Sequence, residues 1–124
     1  MGSIGLVIVS HSKHIAQGVV ELISEVAKDV PITYVGGTKD GGIGTSFDQV
    51  DRVVSENPAD TLLAFFDLGS AKMNLEMVAD FSDKSIIINR VPIVEGAYTA
   101  AALLQAGAEL SVIQTQLAEL EINK

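Results

Sequence analysis

Four short aliphatic runs recur along the chain, each followed by a stretch whose apolar residues are spaced for a helix. This alternation limits the fold more than any other feature. The runs are Ile4 to Val9, Pro31 to Val35, Thr61 to Phe66 and Ser85 to Ile88. They are too short for core helices and apolar on both faces, as strands buried in a parallel sheet are. After the first run, Ser12 is placed to cap a helix whose stripe is Ile15, Val19, Leu22, Ile23 and Val26. After the second, Thr45 or Ser46 caps a helix bearing Phe47, Val50, Val53 and Val54, which Asn57-Pro58 ends. The third leads through Leu68-Gly69-Ser70 into a helix with Met73, Met77, Val78 and Phe81, of which Met73 and Met77 read as core. The fourth leads into an alanine-rich helix from Val94 to Ala106, stopped by Gly107. Ser111 to Leu120 fits one more helix, although Val112-Ile113 leave a strand open. The pattern predicts one α/β domain over residues 1–124: a doubly wound, mostly parallel sheet of four or five strands flanked by helices.

Composition removes several classes of function. At 48% apolar over 124 residues the chain can bury a core and is not a disordered segment. No run approaches the ~20 apolar residues of a bilayer span. The amino end lacks the basic region of a signal peptide, and Leu6 stands where myristoylation would want Ser or Thr. The expectation is a cytoplasmic protein that engages no membrane. With no cysteine there is no disulfide, thiolate catalyst or cysteine-zinc site. His11 and His14 lie three apart without a nearby carboxylate pair, so no metal and no cofactor are expected. No Gly-x-Ser-x-Gly elbow supports a serine hydrolase. A net charge of −8 disfavours nucleic acid as a partner. It serves solubility, or steers the chain toward a basic protein.

In a parallel sheet, ligands bind beyond the carboxyl ends of the strands, at the point where strand order reverses. If the strand order is 2-1-3-4, that point lies between the first and third strands, flanked by His11 and Asp67. The second strand is followed by Gly36 to Gly44, five glycines in nine residues, and the fourth by Asn89-Arg90. His11 sits at a strand-to-helix turn, where a titratable nitrogen nucleophile meets backbone N–H groups and a dipole that favours an anion. That setting suits a histidine that carries a phosphoryl group. One ring nitrogen must be free to attack, the other held as N–H by an acceptor, and the phosphoryl oxygens need donors. Asp67 can be the acceptor. The N–H groups after His11, and those of Gly69 and Ser70, can be the donors, with glycines at 36, 37 and 69 allowing close approach. Taken singly, each part has a plainer role. A lone histidine can be a surface or cap residue, Asp67 can cap the helix that begins near Ser70, and the glycine run can be a connector. His14 reads as a solvated helix residue, and Arg90 as a surface ion-pair partner or an anion contact.

Four segments carry a family resemblance: Val7-Ile8-Val9-Ser10-His11-Ser12, Gly36-Gly37-Thr38 through Gly42-Ile43-Gly44-Thr45, Asp67-Leu68-Gly69-Ser70-Ala71, and Val91-Pro92-Ile93-Val94-Glu95-Gly96. In these the chain resembles the phosphotransferase subunits (DhaM) of phosphoenolpyruvate-dependent dihydroxyacetone kinases, themselves similar to mannose-class IIA domains of the sugar phosphotransferase system. The resemblance spans essentially the whole chain and implies a phosphohistidine carrier. His11 would accept a phosphoryl group from the phosphocarrier HPr and pass it to ADP held on the DhaL subunit, for phosphorylation of dihydroxyacetone on DhaK. It implies catalytic roles for His11 and Asp67, supporting roles for Ser12, Gly36, Gly37, Thr38, Gly69 and Ser70, and a homodimer. The rival readings are a sugar-specific mannose-type IIA domain, a receiver domain, and a non-catalytic interaction module. A receiver domain would need an acidic pair where this chain has Ser10-His11-Ser12.

Overall fold

A computed structural model describes residues 3–124. In chain order the elements are β1 (Ile4–Ser10), α1 (Lys13–Ser24), β2 (Ile32–Gly36), α2 (Phe47–Glu56), β3 (Thr61–Phe66), α3 (Gly69–Phe81), β4 (Ser85–Asn89), α4 (Ile93–Gln105) and α5 (Leu110–Ala118). The four strands form one parallel sheet in the order β2-β1-β3-β4. The expected α/β architecture is therefore present, with four strands among the described residues, in the order that puts the switch point between β1 and β3. Residues 111–120, open between helix and strand in the sequence, fall in α5 and the turn that follows it.

The sheet holds two cores because its central strands are apolar on both sides. Leu6, Ile8, Leu63 and Phe65 pack with α1, α4 and α5 on one face. Val7, Val9, Leu62, Ala64 and Phe66 pack with α2 and α3 on the other. Each of these nine side chains is fully buried. At about 25 cal/mol per Å² of apolar surface, a double-sided core of this kind supplies the main stabilisation of the domain.

Two helices turn differently from the expected stripes. α1 buries Ala16, Val19 and Ile23, whereas Ile15 and Leu22 are 47% and 46% exposed. Ala16 is fully buried, and Val19 and Ile23 pack in one core with the alanine face of α4 (Ala97, Ala100 and Ala101). α3 buries Ala71, Leu75 and Val78, spaced i, i+4, i+7, and leaves Met73, Met77 and Phe81 exposed. Met73 and Met77 are thus surface residues, not core. Ser46, not Thr45, caps α2, accepting from the N–H of Gln49 at 3.4 Å.

Register places the candidate site. β1 and β3 pair with Val9 opposite Phe66, so Ser10 and Asp67 emerge side by side at the carboxyl edge. On the other side Ser10 pairs with Gly36. A Cβ on Gly36 would lie 2.3 Å from the carbonyl oxygen of Ser12 and 2.8 Å from Cα of Lys13. The missing side chain at 36 therefore serves the seating of the β1–α1 turn against the end of β2. Gly36→Ala should cost about 1–3 kcal/mol, because the obstruction is backbone and cannot swing aside. In α1, a Cβ on Gly18 would meet nothing within 4 Å, so Gly18→Ala should be neutral or stabilising. Urea unfolding of the two variants checks this; equal stabilities would contradict the seating argument.

Candidate functional site

The site is built around the carboxylate of Asp67, the first residue beyond β3. Its Oδ2 accepts from the hydroxyl of Ser10 at 2.7 Å and the backbone N–H of His11 at 2.9 Å. Its Oδ1 accepts from Nδ1 of His11 at 2.8 Å and the backbone N–H of Leu68 at 2.7 Å. Four donors converge on two oxygens, filling the capacity of an ionised carboxylate. Burial alone would push the Asp67 carboxyl up. The Ser10 hydroxyl, the His11 N–H and ring, and the Leu68 N–H outweigh it and hold the group below the usual carboxylate range.

An ionised carboxylate only accepts, so Nδ1 of His11 carries the proton and in the neutral ring Nε2 bears the lone pair. Nε2 faces the Ser70 hydroxyl in the first turn of α3. The His11 side chain is 16% exposed, a ring gripped at Nδ1 by Asp67 and met at Nε2 by the Ser70 hydroxyl. Two helix starts surround it. The first turns of α1 and α3 contain no acidic residue. α3 begins at Leu68 without a side-chain cap, which leaves its first N–H groups directed at the edge where His11 stands. A neutral, oriented imidazole among helix N-termini can take up an anionic electrophile at Nε2 and hold the charge that follows.

His11, Asp67, Gly69 and Ser70 thus lie at one point of the rim. Ser12 adjoins them, but its groups are engaged within the turn. Its N–H donates to the Ser10 hydroxyl at 3.0 Å, and its own hydroxyl caps α1 by accepting from Ile15 at 3.3 Å. Gly36, Gly37 and Thr38 serve loop and turn geometry. The Gly37 N–H donates to Ser10 at 3.2 Å, with φ at +77°. The Thr38 N–H donates to Gly42 at 2.9 Å, and its hydroxyl meets Asp40 and Gly42. The loop is tied back to the site by the Gly44 N–H on the carbonyl of His11 at 2.9 Å. Asp67 does not cap α3; Leu68 holds that position, and the aspartate turns to His11. Asn89 ends β4, its amide on the carbonyls of Ala64 and Ile87, and Arg90 lies 3.7 Å from Glu121 in an exposed pair.

Two participants were not singled out from the sequence. Ser10 is 1% exposed and holds Asp67 from β1; its signal was a hydroxyl residue closing an otherwise apolar strand. Lys124 donates to the carbonyl of Phe66 at 2.7 Å, one residue before Asp67. Nothing in its sequence context marks it. Among the described residues no cluster of His, Cys, Asp and Glu could hold a metal, and no helix is long and apolar enough to cross a membrane.

The acid behaviour follows from Asp67. Its folded-state pKa is depressed, so its contribution to stability is present above the ordinary carboxylate pKa and is lost as pH falls through the folded value. Asp67→Asn should lower stability at pH 7 and flatten the acid limb of the stability-pH curve. Urea midpoints between pH 7 and pH 3 check it; parallel curves would contradict a carboxylate held ionised by its four donors.

Comparison with known proteins bears on this site. The model of the EIIA-man family, described as the PTS system fructose IIA component, matches residues 5–114. The chain is 55% identical over 120 residues to the phosphotransferase subunit DhaM of the PTS-dependent dihydroxyacetone kinase of Lactococcus lactis subsp. lactis, covering 97% of this chain and 98% of that one. It is 52% identical over 118 residues to the phosphoryl donor subunit DhaM of PEP-dependent dihydroxyacetone kinase 1 of Listeria innocua, covering 95% of each. The fold is similar to the crystal structure of a phosphotransferase system component EIIA from Streptococcus agalactiae, with a TM-score of 0.68 at 15% identity, over 94% of this chain and 90% of that one.

Proposed function

The chain belongs to the EIIA-man family of the phosphotransferase system, and from that membership we propose that it is the phosphohistidine carrier of a PEP-dependent dihydroxyacetone kinase, with His11 as the phosphorylated residue. The observation that carries the choice of residue is the contact between Nδ1 of His11 and Oδ1 of Asp67 at 2.8 Å, which leaves the Nε2 lone pair available.

The chemistry is in-line transfer in two steps. The Nε2 lone pair forms a bond to phosphorus as the bond from phosphorus to the donor, phospho-HPr, breaks. The ring acquires positive charge, which the Asp67 carboxylate offsets while Nδ1 keeps its proton. In the second step the phosphorus–Nε2 bond breaks as an oxygen of the ADP terminal phosphate, held on DhaL, forms its bond; the resulting ATP phosphorylates dihydroxyacetone on DhaK. The protein contributes position and electrostatics. Ser70 and the first N–H groups of α3 are the donors nearest the incoming phosphoryl group, and Asp67 is the positioning carboxylate. Gly36, Gly37, Thr38 and Ser12 support the turn that presents His11. The chain itself carries no cofactor in this reading, works in the cytoplasm and pairs as a homodimer. Identities of 55% and 52% to dihydroxyacetone kinase subunits favour this acceptor over a sugar-specific IIB domain.

Incubation with phosphoenolpyruvate, enzyme I and HPr should place an acid-labile, base-stable phosphoryl group on His11. His11→Ala should take up none while remaining folded. Asp67→Asn should slow uptake about 10- to 100-fold. Addition of DhaL with ADP should discharge the label, whereas a IIB domain should not. Label on His14 or Asp67, or full activity in Asp67→Ala, would overturn the assignment.

A further inference from the structure

The segment that follows α5 runs along the carboxyl edge of the sheet and is fastened there at two points. The N–H of Ile122 donates to the carbonyl of Arg90, just beyond β4, at 2.9 Å. Lys124 then reaches the end of β3, where its Nζ donates to the carbonyl of Phe66 at 2.7 Å and lies 4.3 Å from the centre of the Phe66 ring. Phe66 is fully buried and directly precedes Asp67, so this ammonium rests on a rigid support beside the aspartate. Burial lowers the Lys124 pKa, and the negative charge of Asp67 acts against that. Other cations are engaged away from the pair. Arg52 and Arg90 form exposed pairs with Glu56 and Glu121. Lys84 binds the carbonyls of Asn57 and Ala59, at the opposite end of β3.

We propose that Lys124 is a positioning residue of the His11–Asp67 pair: held on Phe66, its ammonium favours Asp67 as the carboxylate and His11 as the neutral imidazole. A cation held next to the carboxylate that grips an imidazole disfavours the imidazolium, which favours an unprotonated, nucleophilic Nε2. The same cation opposes the added negative charge once a phosphoryl group is in place. That use of the effect rests on the phosphocarrier reading; the charge effect itself does not. The other titratable groups at the starts of the helices along this edge are Lys13 and His14 on α1, Asp48 on α2, Lys72 on α3 and Glu95 on α4, with Lys39 and Asp40 in the loop tied to His11. These are unchanged in the test.

The test is an NMR titration of both histidines in the unphosphorylated protein, as native chain, Lys124→Gln and Lys124→Arg. Lys124→Gln should raise the His11 pKa by roughly half a unit, the order expected of one partly screened charge. His14 should move much less, and Lys124→Arg should restore the native value. In 1 M salt the His11 difference should shrink. An unmoved His11 in Lys124→Gln, an equal shift in both histidines, or no rescue by arginine would overturn the proposal. Because no phosphoryl donor is present, this outcome is separate from the labelling experiment, whose failure would sink the phosphocarrier reading alone.

Discussion

One carboxylate organises the carboxyl edge of this sheet. Asp67 accepts from the Ser10 hydroxyl, the backbone of His11, the ring of His11 and the backbone of Leu68. These donors belong to the end of β1, the turn into α1 and the turn into α3. One side chain therefore fixes the two central strands to each other at their ends, holds the histidine ring and sets its tautomer. Without it the Ser10 O–H and the His11 N–H would be left with no acceptor at a half-buried site, at a cost on the order of 1–3 kcal/mol for each donor left unsatisfied. The fold and the chemistry share this residue.

The sheet makes the arrangement rigid. β1 and β3 are buried on both faces, so their ends cannot shift without disturbing two cores at once. The β1–β3 register brings Ser10 level with Asp67. On the other flank the glycine loop is tied to the same turn through the Gly37 N–H on Ser10 and the Gly44 N–H on His11. Its glycines serve backbone contact between elements: Gly36 makes room for Ser12, and Gly37 takes a positive φ beneath Gly42. The open side of the ring is left to Ser70 and the uncapped start of α3.

Most of this was legible in the sequence because it depends on local patterns. The strand runs, the cap at Ser12 and the stops at Asn57 and Gly107 follow from residue spacing; the choice of Ser46 over Thr45 and the strand order that sets the switch point come from the structure. The facing of α1 and α3 was legible only in part: Val19, Ile23 and Val78 turn inward as their spacing predicts, and much of the rest of each stripe does not. Ile15, Leu22, Met73 and Met77 stay exposed while the smaller Ala16 and Ala71 are buried, a choice that apolar spacing alone does not make. Ser10 was visible as part of the histidine segment, yet its bond to Asp67 is a long-range contact that spacing cannot reveal. Lys124 was illegible for the same reason, since 58 residues separate it from the carbonyl it binds.

The proposed phosphocarrier role requires that Asp67 keep the proton on Nδ1 and so leave Nε2 to phosphorus. The most direct measurement is phosphorus–nitrogen NMR of the phosphorylated, ¹⁵N-histidine-labelled protein, read for which ring nitrogen of His11 couples to phosphorus. Coupling to Nε2, with Nδ1 still protonated, is the predicted result. Coupling to Nδ1 would mean that the bond to Asp67 breaks on phosphorylation, and would contradict the orienting role on which the site is built.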